Sequence, residues 1–240
     1  LDNSVEHRNV DGSVVLDLIN VSARNHRGIE ALHGVNLQVR AGEILGIAGV
    51  SGNGQTELSE VVTGLRRTQG GTISIAGADV TAGTTRSIAE LGVGHIPEDR
   101  IGVGMAGSAS VKDNAILRHY RSSELSSGAR LKRASVVDFA KQRLVAKRES
   151  MIADRLLVAA HPTRGLDVLA TKEVQTAIVE RRDSGCAVLM ISDDLDEVML
   201  MSDRIAVMYE GRVMGIFDRS QFDRERIGML MGGQVEGAAS

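Results

Sequence analysis

The chain has 240 residues, 42% hydrophobic and 25% charged, which is enough apolar material for a sizeable core and excludes a disordered polypeptide. Net charge is −3, the 28 basic residues are dispersed and aromatics make up only 2%, so no phosphate-tracking stripe or base-stacking platform argues for nucleic acid as a partner. The single cysteine, Cys186, lies in the apolar run CAVLMIS, which rules out an internal disulfide and fits a buried strand in a reducing, cytoplasmic setting. No apolar stretch reaches the ~18 residues of a membrane span, and the polar start LDNSVEH lacks a signal-peptide layout. Any membrane connection is therefore expected to run through a partner.

Residues 1–13 read as a linker or tail, polar and without periodicity, and the fold proper is expected to begin near Val14 with VVLDLINVS. ALHGVNLQV, the apolar run ILGIAGV and GGTISIAG follow as short strands separated by turn residues. Between the last two, Leu58, Val61, Val62 and Leu65 recur at helical spacing, predicting a helix over Gln55 to Leu65 with Gly64 at its end. Residues 14–100 thus read as a β subdomain and a strand–loop–helix core. Residues 101–150 are weakly patterned, with VKDNAILRHY and VVDFAKQRLVAK between Gly/Ser-rich loops, and read as a mostly helical subdomain. From 151 to 240 the alternation returns. LLVAA is a buried strand, Glu173 to Asp183 a helix, CAVLMIS a strand, and Asp193 is expected to cap the helix DLDEVMLM. RIAVMYEGRVMGIFD reads as two strands about a Glu210-Gly211 turn, and RERIGMLMGG as a closing helix.

The strongest signal is Gly49-Val50-Ser51-Gly52-Asn53-Gly54-Gln55-Thr56. It matches the phosphate-loop pattern G-x-x-x-x-G-K-S/T everywhere except the lysine, where Gln55 stands. Glycines there let backbone N–H groups converge on phosphate oxygens at a helix N-terminus, and Thr56 keeps the hydroxyl that would ligate Mg²⁺. Without its lysine, the loop alone is equally compatible with a turn that binds nothing. The spacing G-x-G-x-x-G is absent, which removes a dinucleotide reading.

AGEILGIAGVSGNGQTEL, then GVGHIPEDR, then AAHPTRGLDV resemble, in order and wording, the C-terminal, degenerate cassette of tandem ATP-binding-cassette (ABC) importers for simple sugars or nucleosides. The resemblance covers nearly the whole chain. It implies an α/β fold, a P-loop NTPase cassette with a RecA-like core, an N-terminal antiparallel β subdomain and a helical subdomain. ATP or ADP with Mg²⁺ would sit on Gly49, Ser51, Gly52, Asn53, Gly54, Gln55 and Thr56. Pro97, Glu98, Asp99 and Arg100 would form the coupling loop towards the permease, with Glu98 in the position of the usual loop glutamine. Asp167 matches the D-loop aspartate that reaches across to a second cassette.

Much of the family's chemistry is missing. Ala160 stands where the Walker B aspartate holds Mg²⁺, His161 where the catalytic glutamate stands, and Asp193 where the switch histidine contacts the γ-phosphate. Losing the lysine removes charge-assisted bonds of ~1.5–3 kcal/mol each, about 10- to 100-fold in affinity per bond. Losing the general base costs ~10²–10⁴ in rate. The family's L-S-G-G-N-Q-Q-type signature is not found either, and the chain reads as short by a helix and its lead-in loop between Lys147 and Arg148. Arg148-Glu149 resembles the end of the helix that follows the signature, so we read this as an omitted segment; a real deletion would disable the composite site as well. No adenine-stacking aromatic precedes the loop, His26 being the nearest candidate.

The expectation is an energy-coupling cassette on the cytoplasmic face of the bacterial inner membrane that by itself hydrolyses ATP negligibly. Its partners would be a second cassette half, placed head to tail and N-terminal in the same polypeptide, the permease subunits and, indirectly, a solute-binding protein. The alternative is a non-catalytic pseudo-ATPase that serves as a structural or regulatory dimerisation partner. A soluble cassette of translation or DNA repair would carry coiled-coil insertions or basic runs, and neither is present.

Overall fold

The computed structural model describes Val5, His7 and residues 12–117, 119–128, 130–145 and 155–234. The chain divides into two compact units, one of Leu1–Glu98 with Ala153–Ser240 and one of Asp99–Ile152. In chain order the first unit begins with β1 (Val14–Arg24), β2 (Glu30–Arg40), β3 (Ile44–Ala48), α1 (Gln55–Val62), β4 (Gly70–Ile75), β5 (Ala78–Asp79), α2 (Thr85–Glu90) and β6 (Val93–Ile96). The second unit holds α3 (Val111–Ile116), β7 (Ser126–Ser127), β8 (Arg130–Leu131) and α4 (Arg133–Val145). The first unit then resumes with β9 (Leu156–Ala160), α5 (Val168–Asp183), β10 (Ala187–Ser192), α6 (Leu195–Met201), β11 (Arg204–Tyr209), β12 (Arg212–Asp218) and α7 (Arg224–Met231).

Two sheets build the first unit. An antiparallel sheet of order β2-β1-β4-β5 places Leu16, Leu18, Val21 and Ala23 of β1 opposite Leu32, Val35, Leu37 and Val39 of β2 on one buried face. The second sheet has the order β12-β11-β3-β10-β9-β6 and is parallel apart from its edge strand β12. Every residue of β3, β9 and β10 is buried, as befits central parallel strands covered on both faces. That is why ILGIA, LLVAA and AVLMIS read as unbroken apolar runs. The two sheets share one core, in which Leu45, Leu58, Val158 and Leu189 join Leu18, Leu32 and Ile73. Cys186 is buried just ahead of β10.

The second unit, taken by itself, is two helices and a two-stranded hairpin around Ile116, Leu125 and Val136, with Phe139 packed against them. The suspected gap between Lys147 and Arg148 falls outside the described residues. Among the described residues no helix is long and apolar enough to cross a membrane.

Several elements of the first unit differ from the sequence reading. Helix α1 stops at Val62, because Thr63 caps it and Gly64 turns left-handed at φ 72°, leaving Leu65 outside. Helix α5 starts at Val168, ahead of the expected Glu173, since Asp167 accepts a hydrogen bond from Ala170 N at 2.8 Å and caps it there. Helix α2 was not expected; it is one short helix fixed by a reciprocal Thr84–Ser87 capping box. The cap of α6 is Asp194 and not Asp193. The Asp194 carboxylate accepts from Asp196 N (2.9 Å) and Glu197 N (3.3 Å), and its extended backbone directly precedes the first helical residue. Asp193, one residue earlier, is thereby left to point elsewhere.

Candidate functional site

The neighbouring parallel strands β3, β10, β9 and β6 all end at one edge of the large sheet. This is the edge at which open α/β sheets take ligands. The segment after each strand delivers one part of the site. Residues Gly49–Gly54 follow β3, Asp193 follows β10, His161 to Arg164 follow β9, and Glu98 follows β6.

The loop after β3 turns into α1 at Gly54, whose φ of 97° and close approach to Ala31 O, 2.7 Å from where a Cβ would stand, require glycine. A hairpin tip secures it from the side. Gly211 N donates to Asn53 O (3.0 Å), Glu210 N donates to Asn53 Oδ1 (3.0 Å), and Gly211 O accepts from His33 N of β2 (2.9 Å). Glu210 and Gly211, at φ 44° and 71°, form the expected turn between β11 and β12. Gln55 is buried and faces back into the loop. Its Nε2 donates to Val50 O and its Oε1 accepts from Asn53 N, each at 3.1 Å. An ammonium group has no acceptor for the Asn53 amide, so glutamine closes this loop in a way that lysine does not. Ser51, Gly52 and Thr56 remain exposed.

Over the loop's outer side lies a charged network. Arg164 donates from Nη1 to Glu98 Oε1 at 2.5 Å and from Nη2 to Asp193 Oδ2 at 2.6 Å. Each carboxylate is also tied to the phosphate loop. Thr56 Oγ1 donates to Glu98 Oε2, and Ser51 Oγ donates to Asp193 Oδ2, both at 3.2 Å. His161 Nδ1 stands 3.2 Å from Asp193 Oδ1. Burial works to raise the pKa of Asp193, but the Arg164 hydrogen bond, the charges of His161 and Arg164 and the Ser51 hydroxyl outweigh it and hold the carboxyl below its ordinary value. For Arg164, burial acts downward and the hydrogen bonds and charges of Asp193 and Glu98 more than compensate, so its pKa is raised.

The structure therefore joins five of the residues singled out in the sequence, Ser51, Thr56, Glu98, His161 and Asp193, through a sixth that sequence reasoning passed over. That residue is Arg164. Asp99 lies apart from this network and closes a turn of the second unit by accepting from Ile101 N and Gly102 N, while Pro97 is half-buried. Asp167 caps α5, beside the exposed Val168 and Leu169. Ala160 is a buried methyl at the end of β9, and His161 follows it with a left-handed backbone (φ 47°) and a buried ring. His26 is exposed, its Nε2 3.0 Å from Arg66 Nη2, which in turn pairs with Glu60.

The loop fits a phosphate chain: its exposed backbone, the α1 N-terminus and the Ser51 and Thr56 hydroxyls are anion-binding chemistry in one place. A tightly held divalent metal fits less well. β9 ends on a methyl, and no group of three or more His, Cys, Asp or Glu side chains is arranged for a metal among the described residues.

Known proteins point the same way. The ABC transporter family model matches residues 32–195. The chain is 40% identical to the glucose import ATP-binding protein TsgD13 of Haloferax volcanii over 95% of this chain and 46% of that protein. It is 37% identical to the guanosine import ATP-binding protein NupO of Bacillus subtilis over 94% of this chain and 49% of that protein. The chain thus spans about half the length of these relatives. Among solved structures it resembles a dimeric ATP-binding cassette in a post-hydrolysis state bound to ADP and Pi (TM-score 0.68, 16% identity, 86% of this chain and 100% of that one). A second similar structure is the ATP-binding subunit of an ABC transporter (TM-score 0.66, 18% identity, 91% and 99%). With an antiparallel β sheet, a parallel core sheet ending in a phosphate-type loop, and a family match over most of its length, the chain belongs to the ABC transporter family, as an ATP-binding cassette akin to those of sugar and nucleoside importers.

Proposed function

We propose that this chain is the C-terminal cassette of a tandem importer ATP-binding protein for simple sugars or nucleosides, and that its own nucleotide site is impaired. The observation that carries the proposal is the end of β9. There the buried methyl of Ala160 and the buried ring of His161 replace the two carboxylates that would anchor a metal and handle a water. Binding of ATP or ADP at Gly49–Thr56 is retained in weakened form, and hydrolysis belongs to a composite site completed by another cassette. That partner precedes this one in the same polypeptide, in keeping with relatives about twice its length.

The remaining assignments follow from the same reading. Residues 14–100 and 151–240 make the β subdomain and nucleotide-binding core, residues 101–150 are the helical subdomain, and residues 1–13 are the linker. Pro97–Arg100 couples the core to permease subunits at the cytoplasmic face of the membrane, and Asp167 reaches the partner cassette. A segment carrying the signature belongs between Lys147 and Arg148. In support, the alignment with the Haloferax protein runs over 256 residues, more than this chain has.

The test is ATP turnover by the purified chain and by a two-cassette protein that contains it. Turnover by the chain alone should be negligible and should appear with the partner half. Substantial turnover by the chain alone, abolished by changes at Gln55 or Thr56, would overturn the impaired site. The self-satisfied Gln55 amide favours a second reading, a pseudo-ATPase with only a structural or regulatory role. Calorimetry finding no ATP or ADP binding, even with partner half and signature segment restored, would establish that reading instead.

A further inference from the structure

The phosphate loop has lost its lysine, yet a guanidinium stands over it. Arg164 reaches the loop from the segment after β9, and it is held by two carboxylates that are themselves hydrogen-bonded to loop hydroxyls. The arrangement spans the loop. Ser51 is its third residue and Thr56 its last, so the Asp193–Arg164–Glu98 bridge ties together two separate points of the loop. Arg164 and both carboxylates are each about 40% exposed, so an arriving ligand can reach all three.

Resting on the nucleotide-binding reading above, we propose that Arg164 is the surrogate for the missing lysine, latched by Glu98 and Asp193 while the loop is empty and released to the terminal phosphate of a nucleoside triphosphate. A phosphate presents the same paired anionic oxygens as a carboxylate, so a guanidinium that now bridges two carboxylates can re-pair with it in kind. Gln55 cannot take this part, because its amide is engaged by Val50 O and Asn53 N inside the loop. The exchange acts on several groups together. When Arg164 turns to phosphate, Glu98 and Asp193 lose their shared cation while still accepting from Ser51 and Thr56 of the loop. The same coupling explains weak binding without removing it. The two charge-assisted bonds of Arg164 must break before the phosphate gains its own, and the carboxylates it leaves repel the arriving anion.

The experiment is calorimetric titration of the full chain with ATP and with ADP in EDTA, so that the only countercharge is the protein's. Four variants accompany the wild type: Arg164→Ala, Arg164→Lys, the double variant Glu98→Gln/Asp193→Asn, and that pair combined with Arg164→Ala. Thermal unfolding of each verifies the fold. Opening the latch in the double variant should tighten ATP binding about 10-fold or more, with a smaller change for ADP, since each charge-assisted bond is worth roughly 10- to 100-fold. Adding Arg164→Ala to the double variant should cancel the gain, and Arg164→Lys should retain part of the wild-type preference for ATP over ADP. If the triple variant keeps the full gain, carboxylate repulsion alone explains the effect and the surrogate role is wrong. It is equally wrong if ATP and ADP bind but Arg164→Ala leaves their ratio unchanged, an outcome that leaves the nucleotide-binding reading intact. If neither nucleotide binds any of the proteins, the surrogate role is wrong, and the nucleotide-binding reading is decided by the same titration of the two-cassette protein with its signature segment.

Discussion

Thr163 Oγ1 donates to Glu197 Oε1 at 2.6 Å, tying the segment after β9 to helix α6. Glu197 is buried and also accepts from Ser192 Oγ at 2.8 Å, so one carboxylate fixes the ends of β9 and β10, the two strands that deliver Arg164 and Asp193. Thr163→Val should cost about 1.5–3 kcal/mol, the usual worth of a hydrogen bond to a charged group, and Glu197→Ala more, because it leaves two hydroxyls unmatched. Denaturant unfolding measures both. Equal stability of Glu197→Ala and wild type would mean that water replaces the carboxylate.

At the opposite edge of the sheet, Asp203 is nearly inaccessible. It accepts from Ile44 N (2.8 Å) and from Arg182 Nη1 (3.3 Å), and its Oδ1 is 3.0 Å from His7 Nδ1. Arg182 is itself 1% exposed. Arg182 also donates to Asp183, at 2.9 Å from Nε and 2.8 Å from Nη2, so Asp203→Ala removes one of two carboxylate partners and the acceptor of the Ile44 amide; it should destabilise the first unit by about 1.5–3 kcal/mol, read from its unfolding midpoint.

The depressed pKa of Asp193 gives a pH signature. Because the folded-state value lies below the ordinary 3.8, the ionised carboxylate contributes stability that is fully present above pH 3.8 and lost as pH falls through the lowered folded value. The difference in unfolding midpoint between wild type and Asp193→Asn should therefore be constant near neutrality and shrink only below about pH 3.8. A difference that fades between pH 5 and 7 would assign the effect to another group.

Gln55→Lys restores the motif at a single position. Nucleotide affinity should rise about 10- to 100-fold per charge-assisted bond regained, while turnover by the chain stays negligible, because Ala160 and His161 are untouched. Equilibrium binding with ADP and a steady-state phosphate assay separate the two. Some of the gain will be offset by the Asn53 amide, which loses its acceptor in Gln55.

The parts legible in the sequence were those written locally. Central strands show as apolar runs because both faces are buried, and the phosphate loop shows as glycines at fixed spacing. Single-residue choices were less legible. Asp193 and Asp194 are adjacent and chemically identical, and only the backbone at Leu195 decides which one caps α6. Helix α2 is six residues long, too short to show a period. Arg164 left no trace at all, since its partners lie 66 and 29 positions away and an arginine in a turn ordinarily faces solvent.

The β11–β12 hairpin tip has a bearing on how this molecule can be observed. Through the backbone of two residues it splices together strands from both sheets and the loop between β3 and α1. The loop cannot change shape at Asn53 without breaking the Gly211 amide's bond, and the antiparallel sheet cannot shift at His33 without pulling on the carbonyl of the same residue. Gly211 thus works as a native gauge, and solvent exchange at its amide reads the state of the loop with no label attached.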